Sequence, residues 1–177
     1  DMDCGIEGYQ VLVLPMTYMF KQGFAEKVRA FVEQGGVLIT TYWSGIADDT
    51  DRCYLGGTPH GLMDVLGLRS TEIDGLFDWE ENQFMPVDGN ELGLFREYTC
   101  KYLCDLVRLD GAQALMTYGS DFYQGYPALT VNRYGKGSAW YVAADTEQVF
   151  QEDFIAKLLE HEEIRGAVPG EIPEGLE

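Results

Sequence analysis

The sequence predicts an α/β fold: a mostly parallel sheet flanked by helices, with antiparallel hairpins in the C-terminal half. Three observations carry this. Two short apolar runs, VLVL at 11–14 and VLITT at 37–41, bracket an amphipathic segment. A Gly135-Lys136-Gly137 turn joins two runs of strand formers. A second amphipathic segment follows that hairpin near the C-terminus.

Gln10 to Leu14 reads as a strand stopped by Pro15, apolar enough to be covered on both faces as in a parallel sheet. Gly23 to Gln34 follows as a helix. Phe24, Val28, Phe31 and Val32 recur at i, i+4, i+7 and i+8, while Glu26, Lys27, Arg29 and Glu33 face water. Gly35 stands where a positive-φ C-cap belongs. Val37 to Thr41 is the next strand, and a right-handed crossover lays it parallel to the first. A glycine-bearing loop then leads to a short helix at Leu62 to Leu66, ended by Gly67.

Leu68 to Asp78 reads as extended, and Asp78 to Tyr98 as loop with short strands. Leu103 to Leu109 and Ala112 to Tyr118 flank Asp110-Gly111 and are expected to pair as a hairpin. Ala128 to Tyr134 and Ser138 to Ala144 form the stronger hairpin, since Gly135 and Gly137 supply turn residues. In the final helix Phe150, Phe154, Ile155, Leu158 and Leu159 make one apolar stripe. The expected domain is 1–166. Residues 167–177, with two prolines and two glycines, read as linker.

Composition narrows the function. At 177 residues with 46% apolar and 13% aromatic content, the chain can bury a core. Its net charge of −18 argues against nucleic acid or an anionic membrane as partner, since either needs a cationic face. Asp48-Asp49-Thr50-Asp51 lacks the ligand spacing and glycine of an EF-hand loop. Of the four cysteines, only Cys100 and Cys104 are close in sequence, and no histidine pair completes a zinc set. Reduced core thiols and a cytoplasmic location are the expectation. No signal peptide is evident, and the longest apolar run, Ala139 to Ala144, is far too short for a membrane span. Neither a metal nor a cofactor is expected.

Gly35-Gly36 and Gly56-Gly57 fit no phosphate-binding spacing and read as caps and turns. Many aromatics, by contrast, fall in segments without periodicity. Trp43, Tyr54, Phe77, Trp79, Phe84 and Tyr123 are the candidate interaction surface, with Phe95, Phe122 and Tyr126 nearby in the same kind of segment. Aromatics are enriched both at protein interfaces and in sugar-stacking walls. The competing expectation is that they close the open end of the sheet within one subunit.

Several segments together resemble one family. Gly8 to Met19 (GYQVLVLPMTYM), Gly35 to Gly45 (GGVLITTYWSG), Leu55 to Leu62 (LGGTPHGL), Val65-Leu66-Gly67 and the hairpin FYQGYPALTVNRYGKGSAWYVAA at 122–144 occur in the order of the trimerisation domain of glycoside hydrolase family 42 β-galactosidases. The resemblance implies a three-layer glutamine amidotransferase-like (flavodoxin-like) fold, beginning here after that domain's first strand and helix, and an upstream and downstream remainder. It implies self-association into a homotrimer beside the parent's catalytic barrel. The parent would hydrolyse terminal non-reducing β-D-galactosides with retention, using glutamates outside this chain, so no catalytic residue is carried over. Related amidotransferases place a cysteine nucleophile on the turn after a central strand. Here that turn reads Tyr42-Trp43-Ser44-Gly45. A stand-alone hydrolase using Ser44 with His60 or His161 is the rival reading, and a carbohydrate-binding module is the third.

Overall fold

The computed structural model describes residues 2–165; the expected linker at 167–177 lies outside them. Among those residues nine strands join one mixed sheet that carries three helices. The predicted β-α-β unit is present as β1 (Val11–Leu14), α1 (Phe24–Glu33) and β2 (Val37–Thr41). Val11 lies opposite Val37 and Leu14 opposite Thr40, in parallel. The four predicted positions, Phe24, Val28, Phe31 and Val32, are the buried face of α1. Gly35 takes φ +120° and turns the chain into β2. One detail differs: β1 ends the sheet, so Val13 is 49% exposed and not covered on both faces.

α2 (Met63–Leu66) is closed by Gly67 in the left-handed region. Then come β3 (Leu68–Gly75), β4 (Asn82–Pro86), β5 (Tyr98–Leu109) and β6 (Gln113–Tyr118). The strong hairpin is β7 (Pro127–Tyr134) and β8 (Gly137–Val142), with Val131 opposite Trp140. β9 (Ala144–Thr146) and α3 (Gln148–His161) complete the described chain. Phe150, Phe154 and Leu158 are the buried stripe of α3, whereas Ile155 is exposed.

Helices lie on both faces around β8. Asn132, opposite Ala139, donates to the carbonyl of Val65 in α2 (2.9 Å). Trp140, one residue on and so on the other face, packs its ring against Phe154 of α3.

Two sequence expectations are corrected. The sheet is not mostly parallel: of its eight pairings only β1–β2 and β2–β8 are parallel. Parallel neighbours need a crossover of a dozen or so residues. After β2 the only helix before the last strand is the four residues of α2, and tight turns then favour antiparallel pairing. Second, Asp110-Gly111 does reverse the chain, with Gly111 at φ +107°, yet β5 and β6 do not pair. β4 lies between them. Phe84 of β4 faces Tyr98 of β5 on one side and Tyr118 of β6 on the other.

β5 organises this half of the molecule. Cys104 is paired with Asp74 of β3 and with Ala144 of β9; Cys100 is paired with Asn82 of β4 and with Thr146 of β9. A strand residue has two sides, so β3 and β4 run in one line opposite β9, interrupted by residues 76–81. Because β9 follows β8 after Ala143 alone, the pairings β8–β7–β6–β4–β5–β9 close a circuit. Its interior holds Phe84, Tyr118 and Tyr123, all buried. The Tyr118 hydroxyl spans it, 2.9 Å from the Ala143 carbonyl and 3.2 Å from that of Asp105.

Candidate interaction surface

The turn after β2 carries Ser44, the nucleophile of the rival hydrolase reading. Trp43 occupies its sharpest point at φ +57°, an uncommon conformation for a bulky residue. Its ring is half-buried and stacks on Tyr18 at 5.9 Å. Ser44 is fully buried, and its Oγ accepts the Thr17 amide at 3.0 Å, tying the β1–α1 loop to this turn. Neither histidine is hydrogen-bonded to it. His60 lies flat against Tyr54, centroids 3.7 Å apart, with its Nδ1 buried and unpartnered. His161 sits at the end of α3, where its Nε2 meets Arg133 at 2.8 Å. Ser44 is thus placed as a strut, and the hydrolytic pair is not assembled. Among the described residues no group of three or more His, Cys, Asp or Glu side chains could hold a metal ion.

One buried acid stands near this turn. Asp105 of β5 is wholly buried; Tyr141 donates to its Oδ2, while Oδ1 has no partner. Burial pushes its carboxyl up to about 6, partly offset by the Tyr141 hydroxyl and the Trp43 amide. Its chemistry is that of a structural acceptor.

The six candidate aromatics separate into three groups. Phe84 and Tyr123 are corrected to core. Both are fully buried, and both meet Tyr118 edge-on, at 5.7 and 4.9 Å. Their segments lack periodicity and so point to the surface, but the strand circuit needs large rings to fill it. Trp43 and Tyr54 are half-buried and each is already stacked within the subunit. Phe77 and Trp79 remain outward, 62% and 79% exposed, stacked on each other at 5.0 Å with only 7° between planes.

That pair stands on the 76–81 insertion, which is a firm knuckle. The Leu76 amide donates to the Tyr102 carbonyl (2.8 Å), and the Glu80 amide to the Phe77 carbonyl (2.8 Å). Glu80 Oε2 accepts the Phe77 amide (3.0 Å), and Lys101 pairs with Glu81 at 2.6 Å. Tyr102, 55% exposed at φ +60°, flanks the knuckle through its carbonyl on the Leu76 amide; no local sequence pattern marks it, since it lies in the bulge of β5. Phe122, 67% exposed, projects from the β6–β7 loop, where it packs edge-on against Tyr123. Fully burying such a side chain is worth roughly 1.5–3 kcal/mol, of which each of these partly exposed rings forgoes a share, and contiguous exposed apolar surface commonly marks an interaction site.

The fold and this surface define a helix-flanked mixed-sheet domain with an outward aromatic knuckle and no assembled catalytic group among the described residues. Residues 1–165 match the β-galactosidase trimerisation domain family, and the chain belongs to that family, the trimerisation domain of glycoside hydrolase family 42 β-galactosidases. It is 44% identical over 176 residues to β-galactosidase BglY of Alicyclobacillus acidocaldarius, covering 99% of this chain and 26% of that protein. To β-galactosidase BgaP of Planococcus sp. strain L4 it is 46% identical over 169 residues, covering 96% and 25%. The solved structure of the cold-adapted β-galactosidase from Rahnella sp. R3 aligns with a TM-score of 0.93 at 46% identity, over 99% of this chain and 26% of that one. The chain thus spans roughly a quarter of the length of these relatives. No helix among the described residues is long and apolar enough to cross a membrane.

Proposed function

We propose that this chain holds its parent together as a homotrimer, and that Phe77 and Trp79 form the centre of the contact. The parent is a retaining β-galactosidase of the bacterial cytoplasm, acting on terminal β-D-galactosides with glutamates that lie outside this chain. The domain abuts the parent's catalytic barrel. The observation that carries the surface assignment is the stacked, exposed pair on its pinned knuckle. Rigid aromatics bring large contact area at little entropic cost, and the acidic surface elsewhere repels another copy. The finer fold reading is glutamine amidotransferase-like, supported by the parallel β1–β2–β8 run and by Trp43 at the turn where that fold places a nucleophile.

Light scattering checks this. The expected mass is three times the 19.9 kDa of the chain, falling to one chain mass in Phe77→Ala/Trp79→Ala with an unchanged circular dichroism spectrum. A strictly monomeric wild type at high concentration, or a double variant that still trimerises, overturns the assignment. The chain alone should not hydrolyse a galactoside. Calorimetry with galactose and lactose should show no heat; measurable binding would favour a sugar-stacking role for the same aromatic pair.

A further inference from the structure

The bulge in β5 does more than expose Tyr102. In an unbroken strand, residues four apart stand about 13 Å from each other. Here Cys100 is opposite Thr146, Lys101 opposite Asp145, and Cys104 opposite Ala144, so Tyr102 and Leu103 are extra residues with no partners on β9. Cys100 and Cys104 therefore occupy positions equivalent to i and i+2. They share one face at a Cα separation of about 7 Å, the limit beyond which a disulfide needs backbone movement to close. Both are free thiols and wholly buried inside the strand circuit.

We propose that Cys100 and Cys104 are a dithiol modification site that a hydroperoxide converts to an intramolecular disulfide. This inference stands independently of the oligomeric reading. The surroundings suit the chemistry. The Tyr123 hydroxyl is buried without a hydrogen-bond partner. The Cys100 thiol and then the Tyr123 hydroxyl lower Cys104, while Cys104 and then burial raise Cys100, so Cys104 is the sulfur that ionises first.

The Cys104 thiolate attacks one peroxide oxygen; the O–O bond breaks, and the other oxygen leaves as water or alcohol after taking up a proton. The sulfenic acid so formed is attacked by the Cys100 sulfur. Its S–O bond breaks, water leaves with the Cys100 proton, and the S–S bond forms. Both cysteines are oxidised and the peroxide is reduced.

The test uses Cys4→Ser/Cys53→Ser, which removes only the two exposed cysteines and leaves the core intact. After hydrogen peroxide under native conditions, the expected result is loss of both alkylatable thiols, an intact mass lower by two hydrogens and a native circular dichroism spectrum. Dithiothreitol should restore both thiols. Trypsin cuts after Lys101, so the bridge is read directly as two peptides joined by a reducible bond. Persistence of both thiols, gain of oxygen without a bridge, a bridge between chains, or closure only after unfolding would each overturn the proposal.

Discussion

Asp105 carries a conflict between burial and charge that sets a pH dependence. Its carboxyl is raised to about 6, so the folded state keeps a proton that the unfolded state has released. The contribution to stability is therefore greatest below about pH 4 and is lost as pH rises through about 6, by roughly 2–3 kcal/mol. Tyr141, Tyr118 and Tyr42 surround it, and burial raises each of them, so none titrates in this window. Asp105→Asn should remove this slope. Urea unfolding between pH 4.5 and 7 should show wild type losing stability relative to the variant as pH rises; parallel curves would refute the assignment.

At the scale of elements, the junction of α1, β2 and the β7–β8 turn leaves no room for a side chain at Gly137. A Cβ on Gly137 would overlap the carbonyl oxygens of Gly36 and Val32, which are backbone and cannot swing aside. Gly137→Ala should cost about 3 kcal/mol. Gly56 has positive φ but open space around its Cβ position, so Gly56→Ala should cost only about 1 kcal/mol. Denaturant unfolding of both variants checks the ranking; equal losses would mean that packing at Gly137 is not the constraint.

The same junction shows what the sequence made legible. Phe24, Val28, Phe31 and Val32 repeat with helical period, and the two flanking apolar runs could hardly be anything but neighbouring strands. Asp110-Gly111 misled because turn chemistry encodes only a local reversal. That β4 slides between β5 and β6 depends on pairing over longer range, which no dipeptide records. The burial of Phe84 and Tyr123 is illegible for a related reason: the circuit they fill exists only once those non-local pairings are made. Phe77 and Trp79 were legible as aromatics out of place, but their stacking required the knuckle that Tyr102 and Lys101 anchor.

For the whole molecule, charge opposes association. With 30 acidic against 12 basic residues, copies brought together at the aromatic surface repel one another over a Debye length of about 8 Å at physiological salt. Raising salt should therefore strengthen self-association. Sedimentation at 50 and 500 mM sodium chloride should show a larger trimer fraction at the higher concentration; the opposite trend would point to ion pairs as the contact.

The strand circuit also imposes an order in time. β9 seals it against β5, pairing Thr146 with Cys100 across a long stretch of chain, and such distant closures come late because the intervening loop must first be ordered. As the chain leaves the ribosome, every other strand of the ring is available before its last three residues emerge. A chain halted just before Ala144 would own all the staves and lack the hoop. Completion of the domain is thus reported by its final strand, immediately before α3 covers the seam.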